Sequence, residues 1–287
     1  MPVPGVDRGT LFVSTELAAR IERAEVRLSA SMGHGVIASH TRKDAFVDDL
    51  GDGVAVYIAP ASPMNKMIGV GFGPAIPDEQ LARVEQKFRD RGVPLQAEVS
   101  TLADPAFAGR LSARGYVLQG FENVLGRPIE SSDTGPSRAG EIEVGPMPEN
   151  DGERWLDVAV TGFLHPDTQG VPGEPLPPRD VLEPALRDFL GVPGFRRYYA
   201  WVGGSIAGIA TMRIDDGLAQ LCGAATCVEY RRRGVQTALL QQRLADARHA
   251  GCDLALLTTQ PGSKSQQNGH RQGFALLYSR AILVKQP

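Results

Sequence analysis

Between Leu218 and Thr259 the sequence runs strand, basic turn, helix, strand, and this run limits the fold more than any other segment. Leu218–Val228 has the apolar content of a strand. Val235–Ala250 places Val235, Ala238, Leu239, Gln242 and Ala245 on one helical face, with Gly251 as a C-terminal stop. Asp253–Thr259 is almost wholly apolar. Its Leu254–Leu257 core lacks polar alternation, as expected of a parallel strand covered on both faces. Parallel strands joined through a helix belong to a mixed α/β architecture.

The same alternation extends through the chain. At 287 residues the expected organisation is two domains. Ser131–Gly140 (SSDTGPSRAG) has breaker residues and no apolar periodicity, and reads as the linker between domains 1–130 and 141–287. Before it, helices are expected at Ser14–Ser31, Pro77–Arg91 and Pro105–Arg114. Strands are expected at Gly53–Ile58, Asn65–Phe72, Leu95–Thr101 and Val117–Arg127. After it, Glu141–Gly145 is a strand, Asp151–Phe163 and Val181–Phe189 are helices, and Arg197–Val202 with Ser205–Asp215 form a hairpin around Gly203-Gly204. Ser263–Gln272 is a short helix and Phe274–Val284 the last strand. His165–Arg179 is rich in breakers and long for a loop within a domain, so it is either a substrate-side loop or a surface excursion.

A net charge of −3 gives no field favouring nucleic acid or an anionic membrane. Three cysteines, Cys222, Cys227 and Cys252, make neither a disulfide framework nor a metal-ligand spacing, so no metal is expected. The start, MPVPGVDRGT, lacks the pattern of a signal peptide, and no run approaches the roughly 18 apolar residues of a membrane helix. A cytoplasmic, soluble protein is expected.

The turn CVEYRRRGVQTALL carries the most chemistry. A strand delivers the chain to Arg231, Arg232, Arg233 and Gly234, and a helix starts at once. Backbone N–H groups at a helix start lack intrahelical partners and the dipole adds positive charge, so a pyrophosphate suits the position. Gly234 removes the Cβ that would obstruct it, and arginine grips phosphate oxygens in pairs.

This segment resembles the acetyl-CoA loop of the GNAT N-acetyltransferases, reading Arg231-x-x-Gly234-x-Gln236 where the family has Gly or Ala at the last position. Pro261–Phe274 resembles the family's later segment, with Asn268, Arg271, Gly273 and Phe274 in the matching places. The resemblance covers roughly Glu141–Lys285. It implies a mixed, mostly antiparallel twisted sheet flanked by helices, whose central parallel strands splay to admit pantetheine. It further implies that backbone at Thr226, Cys227 and Val228 meets the pantetheine amides, and that the N–H near Cys227 or Val228 polarises the thioester carbonyl. The pyrophosphate would lie on Arg231, Arg232, Arg233, Gly234, Val235, Gln236 and Thr237, with Asn268 and Arg271 nearby. Donor and acceptor are then acetyl-CoA and a small-molecule amine, with direct attack and no metal.

The proton-moving residues are less evident. Many family members carry Tyr four residues before the Gly-Phe pair; here that position is Gly269. His270 and Tyr278 are the remaining candidates for the acid, against an exposed helix histidine and a packed strand aromatic. No base is identified. A non-catalytic acyl-CoA-binding regulatory protein is therefore the alternative reading. Cys222 and Cys227 read as structural thiols rather than nucleophiles.

Residues Gly9–Arg127 resemble a second, degenerate copy. Gly115-Tyr116 stands in the Gly-Phe place, but Gly69–Gln80 has no arginine cluster and carries Asp78 and Glu79, which repel pyrophosphate. This copy is expected to bind no acetyl-CoA. Walling the acceptor pocket, forming a homodimer contact and simple buttressing are the roles open to it. A tandem chain with one silent copy resembles the mycothiol synthases in architecture.

Overall fold

The computed structural model describes residues 11–137, 141–166, 171 and 178–287. The expected linker is thus described only through Ser137, and most of the expected loop His165–Arg179 lies outside the described residues.

The elements follow the expected order closely. They are α1 (Thr15–Ala38), β1 (Phe46–Leu50), β2 (Gly53–Tyr57), β3 (Lys66–Ile68), α2 (Asp78–Arg89), β4 (Leu95–Ser100), α3 (Pro105–Ala113) and β5 (Val117–Pro128). Then come β6 (Ile142–Pro146), α4 (Gly152–Leu164), α5 (Arg179–Leu190), β7 (Phe195–Val202), β8 (Ser205–Asp215), β9 (Leu218–Gln220) and β10 (Ala224–Thr226). A 3-10 turn (Val228–Tyr230), α6 (Val235–His249), β11 (Leu254–Thr259), α7 (Lys264–Arg271) and β12 (Ala275–Lys285) complete the chain. Two differences stand out: β1 was not expected, and the single strand expected at Leu218–Val228 is broken into β9 and β10.

The chain forms two compact units. One contains the described residues through Val124 together with Gly191–Pro193 and Leu276–Pro287; the other contains Leu125–Leu190 and Gly194–Ala275. This differs from a division at 131–140, because the last strand leaves the second unit. β12 pairs antiparallel with β4, from Arg280 opposite Ser100 to Lys285 opposite Leu95, and Leu283 is buried in the first unit's core. Sequence spacing alone gives no sign of this, since strand pairing is a long-range choice.

In the first unit the strand order is β1-β2-β3-β4-β12-β5, and β3 runs parallel to β4 with Met67 opposite Ala97. Leu81, Val84 and Phe88 of α2 fill the core beside Leu95, Ala97 and Val99. The N-terminal turn of α2 carries Asp78, whose Oδ1 accepts from Arg110 at 2.6 Å and Arg114 at 3.3 Å. A buried ionic cluster lies in this unit: Arg280 Nε donates to Glu22 Oε1 at 2.8 Å and Nη1 to Glu122 Oε2 at 3.0 Å.

In the second unit the order is β5-β11-β9-β8-β7-β6, with β10 paired to β8 off this path. Successive residues of β7 face opposite ways. Tyr198 packs with Val235 and Leu239 of α6, whereas Tyr199 packs with Trp155 and Ala159 of α4, so the two helices cover opposite faces. Both units are mixed α/β.

Candidate functional site: a cleft between splayed strands

β9 and β11 are parallel, with Leu218, Ala219 and Gln220 opposite Leu254, Ala255 and Leu256, and the pairing ends where Leu221 N–H donates to Leu256 O at 2.8 Å. Beyond Cys222 the chain continues as β10, which stays on β8: Ala224, Ala225 and Thr226 stand opposite Ala210, Ile209 and Gly208. β11 runs on past the point of separation. The two strands thus diverge, and Ala224–Thr226 on one side and Leu257, Thr258 and Gln260 on the other line one cleft of about 790 Å³.

Small residues hold β10 in place. A Cβ on Gly162 of α4 would come within 2.5 Å of Ala225 Cβ, and one on Gly208 within 2.7 Å of Ala225 O and 2.8 Å of Val235 Cγ1. Glycine at these two positions lets α4 approach one face of β10 and α6 sit close against β8.

At one mouth of the cleft α6 begins. Gly234 is its N-cap at φ +91°, with no side-chain cap, and the first intrahelical bond is Ala238 N–H to Gly234 O. The N–H groups of Val235, Gln236 and Thr237 thus precede that bond at the dipole's positive end. Arg232, two residues earlier, also has positive φ, at +61°, a conformation costly for a side-chain-bearing residue. Thr226, Arg231, Arg232, Gly234, Val235, Gln236, Thr237, Asn268 and Arg271 all line the cleft. Gln236, the departure from the family pattern, donates from Nε2 to Thr226 Oγ1 at 2.8 Å and so braces α6 against β10.

Other expected site residues are placed differently. Cys227 N–H donates to Ala207 O at 3.0 Å, its Sγ lies 3.6 Å from Ile206 O, and burial raises its thiol pKa. That amide belongs to the β8 ladder and is not available to a ligand. In an antiparallel ladder the amides alternate, so those of Ala224 and Thr226 face away from β8. Val228 and Arg233 are exposed and do not line the cleft, and the Arg233 guanidinium lies 5.8 Å from the Tyr230 ring centroid. Arg231 donates to the carbonyls of His165 and Pro166 and, at 3.5 Å, to Thr226 O, so its side chain also serves as a tie.

Neither candidate acid lines the cleft. Tyr278 is buried in the first unit, donating to Glu22 Oε1 at 2.7 Å, with its pKa pushed up by burial and by that carboxylate. His270 is exposed on α7, its Nδ1 3.0 Å from Phe274 O and its Nε2 3.2 Å from Gln266 Nε2. Gly269 packs under the Leu257 and Leu125 side chains. Among the described residues no cluster of three His, Cys, Asp or Glu side chains is arranged to hold a metal.

Sequence reasoning missed the inner end of the cleft, lined by Leu221, Cys222, Gly223, Leu240 and Arg243. Arg243 is 4% exposed on α6, and burial lowers its pKa to about 10. The break in the strand was the available signal: Cys222-Gly223 interrupts a run of strand-forming residues.

Residues 163–274 match the model of the Acetyltransferase (GNAT) family. Among solved structures, a GCN5-related N-acetyltransferase from Kribbella flavida shares 15% identity over 91% of this chain and 95% of its own, with a TM-score of 0.61. A tandem GNAT protein from the clavulanic acid biosynthesis pathway shares 13% identity over 86% of this chain and 84% of its own, with a TM-score of 0.58. A GCN5-related N-acetyltransferase from Sphaerobacter thermophilus shares 16% identity over 81% and 72%, with a TM-score of 0.55. No curated protein matches the sequence. The family match starts at Phe163 in the last turn of α4 and ends at Phe274, so it takes in every described residue of the cleft lining except Gly162. That segment, residues 163–274, is the part of this chain that is similar to the GNAT acetyltransferase family.

Proposed function

We propose that the cleft of the second unit binds acetyl-CoA and that the chain transfers its acetyl group to the amine of a small molecule. The observation that carries this reading is the divergence of β10 from β11 beside the uncapped start of α6. The N–H groups of the first turn of α6, with Arg232 and Arg271, would hold the pyrophosphate. Ala224–Thr226 of β10 span about 10 Å at ~3.3 Å per residue, an edge along which part of an extended pantetheine arm can lie as an added strand. The amides of Ala224 and Thr226 are the donors open to it. The thioester then falls toward Cys222–Ala224, and a backbone N–H there would stabilise negative charge on its oxygen. This moves the polarising role away from Cys227. Bound acyl-CoA supplies an activated acyl group, which a neutral amine attacks directly.

An amine with a reference pKa near ~10.4 must lose a proton first, and water reaching the open cleft is the route this reading assigns. The reading places the protein in the cytoplasm, where acyl-CoA is available, and assigns the acyl-CoA site to the second unit only. A non-catalytic acyl-CoA sensor is the second reading, favoured by the absence of Tyr278 and His270 from the cleft lining. Following thiol release from acetyl-CoA across amines, polyamines, amino acids and aminoglycosides separates the two. Acceptor-dependent release is expected; CoA binding without release for any acceptor would favour the sensor.

A further inference from the structure

We propose that the inner end of the cleft takes a substrate carboxylate, with Arg243 as its counter-ion. The inference rests on the acyl-CoA reading of the same cleft and specifies what the reacting end of that site accepts.

Among the described residues, Arg243 is a buried cation held without a carboxylate. Its Nε donates to Leu239 O at 3.2 Å, and its Nη1 to Thr211 O at 3.1 Å and Cys222 O at 3.4 Å. Nη2 has no hydrogen-bond partner among the described residues. The nearest acid along the helix, Asp246, is taken by Tyr198 Oη at 2.8 Å and Gln242 Nε2 at 2.9 Å. No ion pair to Arg243 occurs among the described residues, and only Cys222 and Tyr198 favour its charge electrostatically. A guanidinium does not escape this situation by deprotonating, because its pKa stays far above neutrality. Neutral carbonyls orient it but do not balance its charge, and an unbalanced buried charge is costly.

Its position says which part of a ligand would meet it. Arg243 lies nine residues beyond Gly234, about 13 Å along the helix at ~1.5 Å per residue. That is far from the pyrophosphate cradle and level with Cys222 and Gly223, where β9 gives way to β10. A cation there serves the reacting end of the substrate. The guanidinium edge with free N–H groups suits a carboxylate best. Two sources share this chemistry: the far end of a dicarboxylic acyl group on the donor, or the carboxylate of an amino-acid acceptor.

The test is calorimetric titration of the full chain, as wild type, Arg243→Met and Arg243→Lys. The donor arm compares CoA, acetyl-CoA and succinyl-CoA. The acceptor arm, with CoA saturating, compares an α-amino acid with its methyl ester. In one arm the wild type should prefer the carboxylate form by about tenfold or more. Arg243→Met should abolish that preference and Arg243→Lys retain part of it, while all three bind CoA itself to within about twofold. Wild type that binds CoA without preference in either arm overturns the inference alone, as does a preference that survives in Arg243→Met. The wild-type comparison decides even where a variant does not fold. Wild type that binds no CoA overturns the underlying reading and the inference with it.

Discussion

Gln236 Nε2 donates a 2.8 Å hydrogen bond to Thr226 Oγ1, so the first turn of α6 and the last residue of β10 are tied together at the mouth of the cleft. Gln236→Ala gives the residue type the family prefers there, and it removes this brace without removing a backbone donor. Stability should fall by about 1 kcal/mol, while CoA affinity stays within about threefold. Thermal melts and CoA titration check both. A collapse of affinity at unchanged stability would mean that the side chain itself contacts the ligand.

Gly208→Ala tests the close packing on β8. The added methyl would meet Ala225 O at 2.7 Å and Val235 Cγ1 at 2.8 Å, so β10 or α6 must shift. A loss of about 1–3 kcal/mol is expected, together with weaker CoA binding, because both displaced elements line the cleft. Lower stability with unaltered CoA affinity would show that the cleft does not depend on this contact.

Arg232→Gly separates backbone conformation from charge. At φ +61° the glycine relieves strain, and its greater freedom when unfolded offsets the gain, so stability should change by less than about 1 kcal/mol. CoA affinity should fall by about five- to tenfold through loss of a phosphate-binding cation. Unchanged affinity would remove Arg232 from the phosphate site.

In the first unit, burial and the neighbouring Glu98 raise the Glu122 carboxyl from 4.5 to about 6, with Arg280 and Lys66 opposing. The folded chain therefore binds this proton more tightly than the unfolded chain. The contribution of Glu122 to stability falls as pH rises from about 4.5 to about 6 and is constant above that range. Glu122→Gln does not titrate, so its stability relative to wild type should improve across that window. Chemical denaturation at several pH values measures this difference. A difference that does not change with pH would contradict the assignment.

The start of α6, to which the proposal assigns the phosphate, was legible as a turn-to-helix junction because its signals are local: an arginine cluster, a glycine and an apolar helix face within a few residues. The inner end was not. Leu218–Val228 reads as one strand, and pairing with β8 and β11 turns the weak local sign at Cys222-Gly223 into a break at Leu221–Gly223. Arg243 lies outside the helix face that the sequence singles out, and its burial emerges only where α6 is set against Thr211 and Cys222. Tyr278, on the last strand, reads as a candidate acid or as a packed strand aromatic, and the structure makes it the latter. The destination of that strand, beside β4 in the first unit, depends on an edge 180 to 190 residues earlier, from Arg280 opposite Ser100 to Lys285 opposite Leu95. β1 was missed because Asp48 and Asp49 interrupt the apolar pattern of FVDDL.

The most direct measurement of the central claim is calorimetric titration of CoA into wild type and into Gly234→Glu. Gly234 occupies φ +91° at the N-cap of α6, and glutamate would place both a strained side chain and a negative charge at the start of that helix. With circular dichroism confirming that the variant is folded, saturable one-to-one binding to wild type and none to Gly234→Glu is the predicted result. Equal affinity for both, or no binding to wild type, would contradict an acyl-CoA site in this cleft.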